Sequence, residues 1–387
     1  MASGESVYFD YAATTPVDER VLGAMLPYFR RVFGNPSSVH VWGQSAEAAL
    51  EDARIKAAQA IGAQSNEIIF TGCGSESDNL ALRGTALAMR EQRGARHILT
   101  TPVEHHAVLH TVKQLAELDG FEVEFLPVDH SGMVQPEQVR AALRPDTAVV
   151  SIIYANNEIG TINPIAEIGA VCRAAGIPFH TDAVQAAAHL KMDVVRDQVD
   201  LLSIGAHKFY GPKGVGALYV RKGTPILPVQ TGGGQEQGLR AGTQNVAFAV
   251  GLAEGLSLAQ SEVDVRGSRH RAMRDFLIGA VLETVPEASL TGDAEKRLPN
   301  HASFVFAGVD GNRLLMALDV AGYACSSGSA CKTGNPQPSE VLTAIGMDSH
   351  WAFGSLRVTL GVDSTPESIQ RFVPVLASLV QNQRRTK

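Results

Sequence analysis

The chain is poor in the features that mark several large protein classes. Its 387 residues include four cysteines, Cys73, Cys172, Cys325 and Cys331, too few and too scattered for a disulfide framework. None sits in a CxxC pair, so the usual signature of a structural zinc site is missing. Positive charge is also short: 33 Lys and Arg against 40 Asp and Glu leave a formal net charge of −7. Clustered Lys and Arg hold phosphate backbones, so this balance offers no electrostatic ground for direct nucleic-acid binding. No stretch approaches the ~20 consecutive apolar residues of a membrane span. Residues 1–5 lack the basic-then-apolar order of a secretion signal. The expectation is a cytoplasmic protein with reduced thiols and no membrane partner.

What is present is an ordinary globular balance, 45% hydrophobic and 19% charged, in a chain long enough to fold without staples. From residue 67 onward, short β-rich runs alternate with helical patterns. Strands are expected at 67–70, 97–100, 122–128, 148–154, 178–180, 199–204 and 216–220. Helices are expected at 79–93 and 107–118 and after Pro136 and Pro164. This alternation implies βαβ units, hence an α/β fold with a mostly parallel sheet flanked by helices. One long helical stretch follows at 245–283. The final third reads as a smaller α+β domain, with strands at 302–306 and 355–360 and helices at 312–319, 339–345 and 366–383. The expected division is a large domain over 16–255 and a small one from 1–15 plus 256–387.

Open parallel sheets bind ligands beyond the carboxyl ends of their strands, and the informative polar residues fall there. Thr71-Gly72-Cys73-Gly74-Ser75-Glu76-Ser77 joins a strand to a helix with small residues. Free N–H groups and the helix dipole make that a phosphate seat; the plain alternative is a turn capped by Ser75. Asp182 ends a short apolar strand, where its carboxylate would either hold a cationic nitrogen or cap a helix. Lys208 lies among small and aromatic residues in Gly205-Ala206-His207-Lys208-Phe209-Tyr210-Gly211. A desolvated lysine there suits Schiff-base chemistry, whereas Lys213, between Pro and Gly, reads as a turn residue. A lysine, an acid and a phosphate seat together meet the three needs of pyridoxal 5'-phosphate. The tract from Cys325 to Pro338 is small and polar. Cys331 lies inside it, placed as a nucleophile rather than a core thiol, while Cys325 follows an apolar run and reads as structural. Arg357 alternates with apolar residues on a strand and calls for a carboxylate from protein or substrate. His105-His106 lack further metal ligands at suitable spacing, and no metal site is expected.

These residues carry a resemblance to the cysteine desulfurases of the class V aminotransferase family, pyridoxal-phosphate fold type I. It runs over nearly the whole chain. It includes Phe9-Asp10-Tyr11-Ala12-Ala13-Thr14-Thr15-Pro16, Val103-Glu104-His105, Asn156-Asn157-Glu158-Ile159-Gly160, Arg240-Ala241-Gly242-Thr243 and Ser326-Ser327-Gly328-Ser329-Ala330-Cys331. The resemblance implies a seven-stranded-type sheet and roles for single residues. Lys208 bonds the cofactor. His105 stacks on its ring and moves protons. Asp182 pairs with the ring nitrogen. Gln185 and Asn157 reach the ring hydroxyl. Gly74, Ser75 and His207 hold the phosphate. Thr243 reaches the neighbouring subunit's phosphate, making the active unit a homodimer. Arg357 and Asn157 clamp the substrate carboxylate, and Cys331 attacks the substrate sulfur. One departure is Gly205, where the family often has a phosphate-binding Ser.

The implied reaction takes L-cysteine to L-alanine, leaves a persulfide on Cys331 and hands the sulfur to an acceptor protein for iron–sulfur assembly or thiolation. Two other readings stand beside it: a selenocysteine lyase or β-lyase that needs no thiol, and a non-catalytic sulfur-assembly platform.

Overall fold

The computed structural model describes residues 6–328 and 338–385. Cys331 lies outside the described residues.

A seven-stranded sheet forms the centre, in the order Ile68–Thr71, Gly216–Val220, Leu201–Gly205, Phe179–Asp182, Thr147–Ser151, His97–Thr100 and Glu122–Phe125. All neighbours pair parallel except Gly216–Val220, which runs antiparallel to both its neighbours. Six strands are buried along their whole length, as both faces are covered by helices. Glu122–Phe125 is one of the two edge strands, opposite Ile68–Thr71, and its Glu-Val-Glu-Phe sequence leaves it half-exposed. It stops at Phe125, short of the expected 128.

The helix Val41–Ile61 packs on this frame and is absent from the sequence reading. Its buried stripe is mostly alanine, Ala46, Ala49, Ala53, Ala57 and Ala58, with Leu50 and Ile61 and a buried Arg54 among them, so apolar and polar faces differ little in hydrophobicity. Its ends were nonetheless marked: the His40 ring accepts the Gly43 N–H at 3.2 Å, and Gly62 closes the helix with φ of 74°.

The stretch expected as one helix over 245–283 is two, Val246–Ser261 and Val263–Thr284, broken at Glu262. The physical reason is a change of core. Leu252, Ala253, Leu256 and Ala259 pack into the core of the large sheet. Met273, Leu277 and Val281 pack into a second core with Phe304, Phe306, Leu356, Val358 and Phe372. That second core is built on the antiparallel sheet Ser355–Thr359, His301–Phe306, Ala288–Leu290. The amino-terminal segment joins it as well: Val7–Tyr8 pairs parallel with Tyr323–Ala324, and Phe9 is fully buried against Tyr323 and Phe372.

Candidate active site

Five strand ends converge on one cavity of about 310 Å³. Gly74 and Ser75 follow Ile68–Thr71, His105 follows His97–Thr100, and Ile153 and Asn157 follow Thr147–Ser151. Asp182 ends Phe179–Asp182, and His207 and Lys208 follow Leu201–Gly205. Arg357 arrives from the second sheet, and Ala12 and Ala13 from the amino-terminal segment. Of the expected site residues within the described chain, only Thr243 lies elsewhere, exposed on the loop after Arg240.

The helix Gly74–Arg93 begins without a side-chain cap. Cys73 occupies the N-cap position and makes no capping bond, so Ser75 does not play that part. Glu76 instead accepts the Gly72 N–H at 2.7 Å and pairs with Arg240 at 2.7 Å. The first-turn N–H groups of a 20-residue helix therefore remain for an anion. Gly74 is required here, because a Cβ would meet Val184 Cγ2 at 2.6 Å. Gly205 is different. Its backbone is extended, and a Cβ would sit 3.5 Å from Gly74 N in ordinary contact, directed at the same seat.

Asp182 is not a helix cap. Its Oδ1 accepts the Val184 N–H at 2.9 Å, and the next helix starts only at Ala186. Burial, reinforced by the carboxyl of Asp78, pushes its pKa up to about 6. Asp78, one turn into the Gly74 helix, is itself buried, and its Oδ1 has no hydrogen-bond partner among the described residues, the His180 Nε2 lying 3.5 Å away. Burial drives its carboxyl up to about 7. Ligating atoms of Asp78, His105 and Asp182 all lie within 4.8 Å of one another. Two buried carboxyls with no cation between them are costly, and a cationic ring nitrogen would relieve that cost. The donor set, the uncapped helix and the lysine thus fit pyridoxal phosphate.

Lys208 Nζ donates to the Ala12 carbonyl at 2.6 Å and the Ala13 carbonyl at 2.7 Å. Desolvation, with Arg357 nearby, brings its ammonium down to about 8, so a neutral amine is accessible near neutrality. His207 is held down to about 4 by desolvation and by Lys208 and Lys213, so it is neutral. Its Nδ1 lies 3.2 Å from Thr14 Oγ1. His105 lies at the open mouth of the cavity but is ringed by protein, and desolvation lowers its pKa. Its Nδ1 accepts the Ala107 N–H at 3.1 Å, which leaves the proton of the neutral ring on Nε2. Gln185 Nε2 donates to Ala12 O at 2.9 Å. Asn157 O accepts from Arg357 Nη1 at 2.9 Å and lies 3.1 Å from His301 Nε2.

A second cavity of about 400 Å³ opens beside the first and shares His105, Asn157 and Arg357 with it. It is also lined by Cys325, Ser326, Ser327, Gly328 and Glu158. Cys325 itself is desolvated, which raises its thiol pKa and suits a structural thiol.

Sequence reasoning missed three participants: Asp10, Asp78 and Glu104. Glu104 is buried behind His105, its Oε1 taking the Thr101 hydroxyl at 2.7 Å and the Ile153 N–H at 2.8 Å. Asp78 had a readable signal, since it lies one turn beyond the phosphate seat. Asp10 had none beyond its place in the Phe9–Pro16 motif, because its partner Arg357 is 347 positions away.

The chain matches the aminotransferase class-V family over residues 7–372. It is 48% identical to the cysteine desulfurase IscS of Dictyoglomus turgidum over 378 residues, covering 98% of this chain and 95% of that protein. Among solved structures, a NifS-like protein superposes with a TM-score of 0.90 at 38% identity, covering 97% of this chain and 100% of that one. SspA in complex with cysteine superposes with a TM-score of 0.80 at 37% identity, covering 92% and 99%. The chain belongs to the aminotransferase class-V family, among its cysteine desulfurases.

Proposed function

We propose that this pyridoxal-phosphate enzyme converts L-cysteine to L-alanine, parks the sulfur as a persulfide on Cys331 and passes it to an acceptor protein. The observation that carries the reading is Lys208, desolvated to a pKa of about 8 in a cavity that it lines together with Asp182, His105 and Arg357. When bound, the cofactor supplies an aldehyde and a protonated ring that accepts electron density. Gly74, Ser75 and neutral His207 hold its phosphate, Asp182 its ring nitrogen, and Gln185 and Asn157 its hydroxyl. Asp182 is ionised once a cation faces it.

Arg357 binds the substrate carboxylate. Lys208 Nζ, as the free amine, removes the α-proton. His105, neutral with its proton on Nε2, moves protons at the mouth. The Cys331 thiolate attacks the substrate sulfur, so that the new S–S bond forms as the Cβ–S bond breaks. The electron pair left on carbon takes a proton and yields alanine. The active unit is a homodimer. Thr243 is exposed away from its own cavity, and Leu26, Phe29, Phe33, Val41 and Trp42 leave apolar surface uncovered on one chain. We place the large domain at 16–255 and the small one at 1–15 plus 256–387, although Leu256, Ala259 and Leu298 still pack in the core of the large sheet, and the cytoplasm is the compartment that keeps such a thiol reduced.

The test is a comparison of Cys331→Ala with the parent. The variant keeps the bound cofactor and accumulates no protein-bound sulfur from labelled cysteine, while Cys325→Ala still does. Sulfide release by Cys331→Ala at the parental rate would favour a β-lyase instead.

A further inference from the structure

Arg357 is not free in the cavity wall. Its Nη2 pairs with Asp10 Oδ1 at 2.8 Å and its Nη1 donates to Asn157 O at 2.9 Å. Both ends of the ion pair are shielded, with side-chain exposures of 8% and 19%. A guanidinium has five N–H donors. Two are taken, and Nε is buried with no partner among the described residues. One N–H therefore remains on each of Nη1 and Nη2, the two-pronged arrangement that a carboxylate accepts best.

Asp10 is held rigidly. Phe9 beside it is fully buried, and Phe9 N donates to Ala324 O at 2.8 Å while Thr359 N donates to Phe9 O at 2.8 Å. The Asp10 carbonyl accepts from Tyr8 Oη and from Ala13 N, each at 3.0 Å. Thr359 lies two residues beyond Arg357 on the same strand, so acid and guanidinium ride on one scaffold. Asp10 touches Arg357 through a single oxygen on a single nitrogen. A carboxylate competing for the substrate's place would bind both terminal nitrogens, and Asp10 binds only Nη2.

We propose that Asp10 is a positioning residue for substrate capture: it fixes the Arg357 guanidinium so that the remaining fork receives the α-carboxylate of the amino-acid substrate. The inference rests on the reading of Arg357 as the carboxylate clamp. Without Asp10, a long, rotamer-rich side chain must be ordered each time substrate binds, and that cost falls on binding rather than on the chemical step.

The experiment is steady-state kinetics on the full-length, cofactor-loaded enzyme, with L-alanine titration as an independent measure of binding. Asp10→Ala raises KM and the L-alanine dissociation constant roughly tenfold while kcat stays within about threefold. Asp10→Asn, whose amide oxygen still accepts from Nη2, loses roughly threefold in each. Arg357→Ala with Asp10→Ala is no worse than Arg357→Ala alone. The proposal falls if Asp10→Ala lowers KM, since Asp10 would then compete with substrate. It also falls if melting temperature drops with KM unmoved, a purely structural role. If Asp10→Ala does not fold, Asp10→Asn decides by the same criteria. Should Arg357→Ala leave KM and alanine binding unchanged, the clamp reading itself is wrong, an outcome distinct from failure of Asp10 alone.

Discussion

The cofactor end and the substrate seam are built by opposite means. At the cofactor end, Gly74, Asp182 and Lys208 follow three strands of one sheet, each buried along its length. Their relative positions are set by backbone hydrogen bonds that cannot slip without exposing the core. At the seam, Asp10, Asn157, Glu158, Ser326 and Arg357 come from four distant segments, joined by the Arg357 guanidinium to Asp10 and to the Asn157 carbonyl and by a short backbone bridge between Ser326 and Arg357. The difference teaches a division of labour: in the proposed mechanism the frame holds the cofactor and the seam receives the substrate carboxylate.

The largest way to break that division is Asp182→Asn. The amide oxygen can still accept the Val184 N–H, so the fold should survive. A neutral amide cannot stabilise a protonated ring nitrogen, and kcat should fall by about 10²–10³-fold with little change in L-alanine affinity. Stopped-flow turnover and alanine titration read the two quantities separately. A change confined to alanine affinity would mean that frame and seam are not separable. Gly205→Ser sharpens the same point with a smaller, opposite effect. The site has room for the side chain, and its extended backbone imposes no strain. A hydroxyl there faces the phosphate seat, and a hydrogen bond to a charged group is worth about 1.5–3 kcal/mol. The apo-protein should bind pyridoxal phosphate roughly tenfold more tightly, with KM for cysteine unmoved. An unchanged affinity would show that a water or a backbone N–H already fills the contact.

This division also explains what was legible in the sequence. Strands at 97–100 and 216–220 matched residue for residue because their apolar runs are buried on both faces. Asp182 and Lys208 were legible because strand ends can be counted along the chain. The seam was not, because Asp10 meets Arg357 across 347 positions and no periodicity carries that pairing. The helix Val41–Ile61 escaped because alanine makes a buried face without a hydrophobic contrast. The break at Glu262 escaped because helical periodicity does not say which core a face will enter.

The smallest effect belongs to Glu158 and separates seam from frame by pH. Its Oε2 accepts the Ser339 hydroxyl at 2.5 Å, and Gly328 packs so closely that a Cβ there would clash with the same oxygen. Ser339 in turn caps the helix Glu340–Ala344 through the Val341 and Leu342 N–H groups. Burial pushes the Glu158 carboxyl up to about 7, against the opposing pull of Ser339 and Arg357 and with added repulsion from Glu340. The folded state therefore binds a proton more tightly than the unfolded chain does. That contribution to stability is fully present below the ordinary glutamate value of 4.5 and is lost as pH rises through about 7. Glu158→Gln removes the titration. The melting temperature of the apo-protein relative to this variant should accordingly fall by roughly 1–2 °C, about 1 kcal/mol after allowing for partial exposure, between pH 4.5 and pH 7.5. If Glu158→Gln tracks the parent at every pH, the carboxyl stays in one protonation state throughout. The link from Glu158 through Ser339 to the helix Glu340–Ala344 would then be independent of pH.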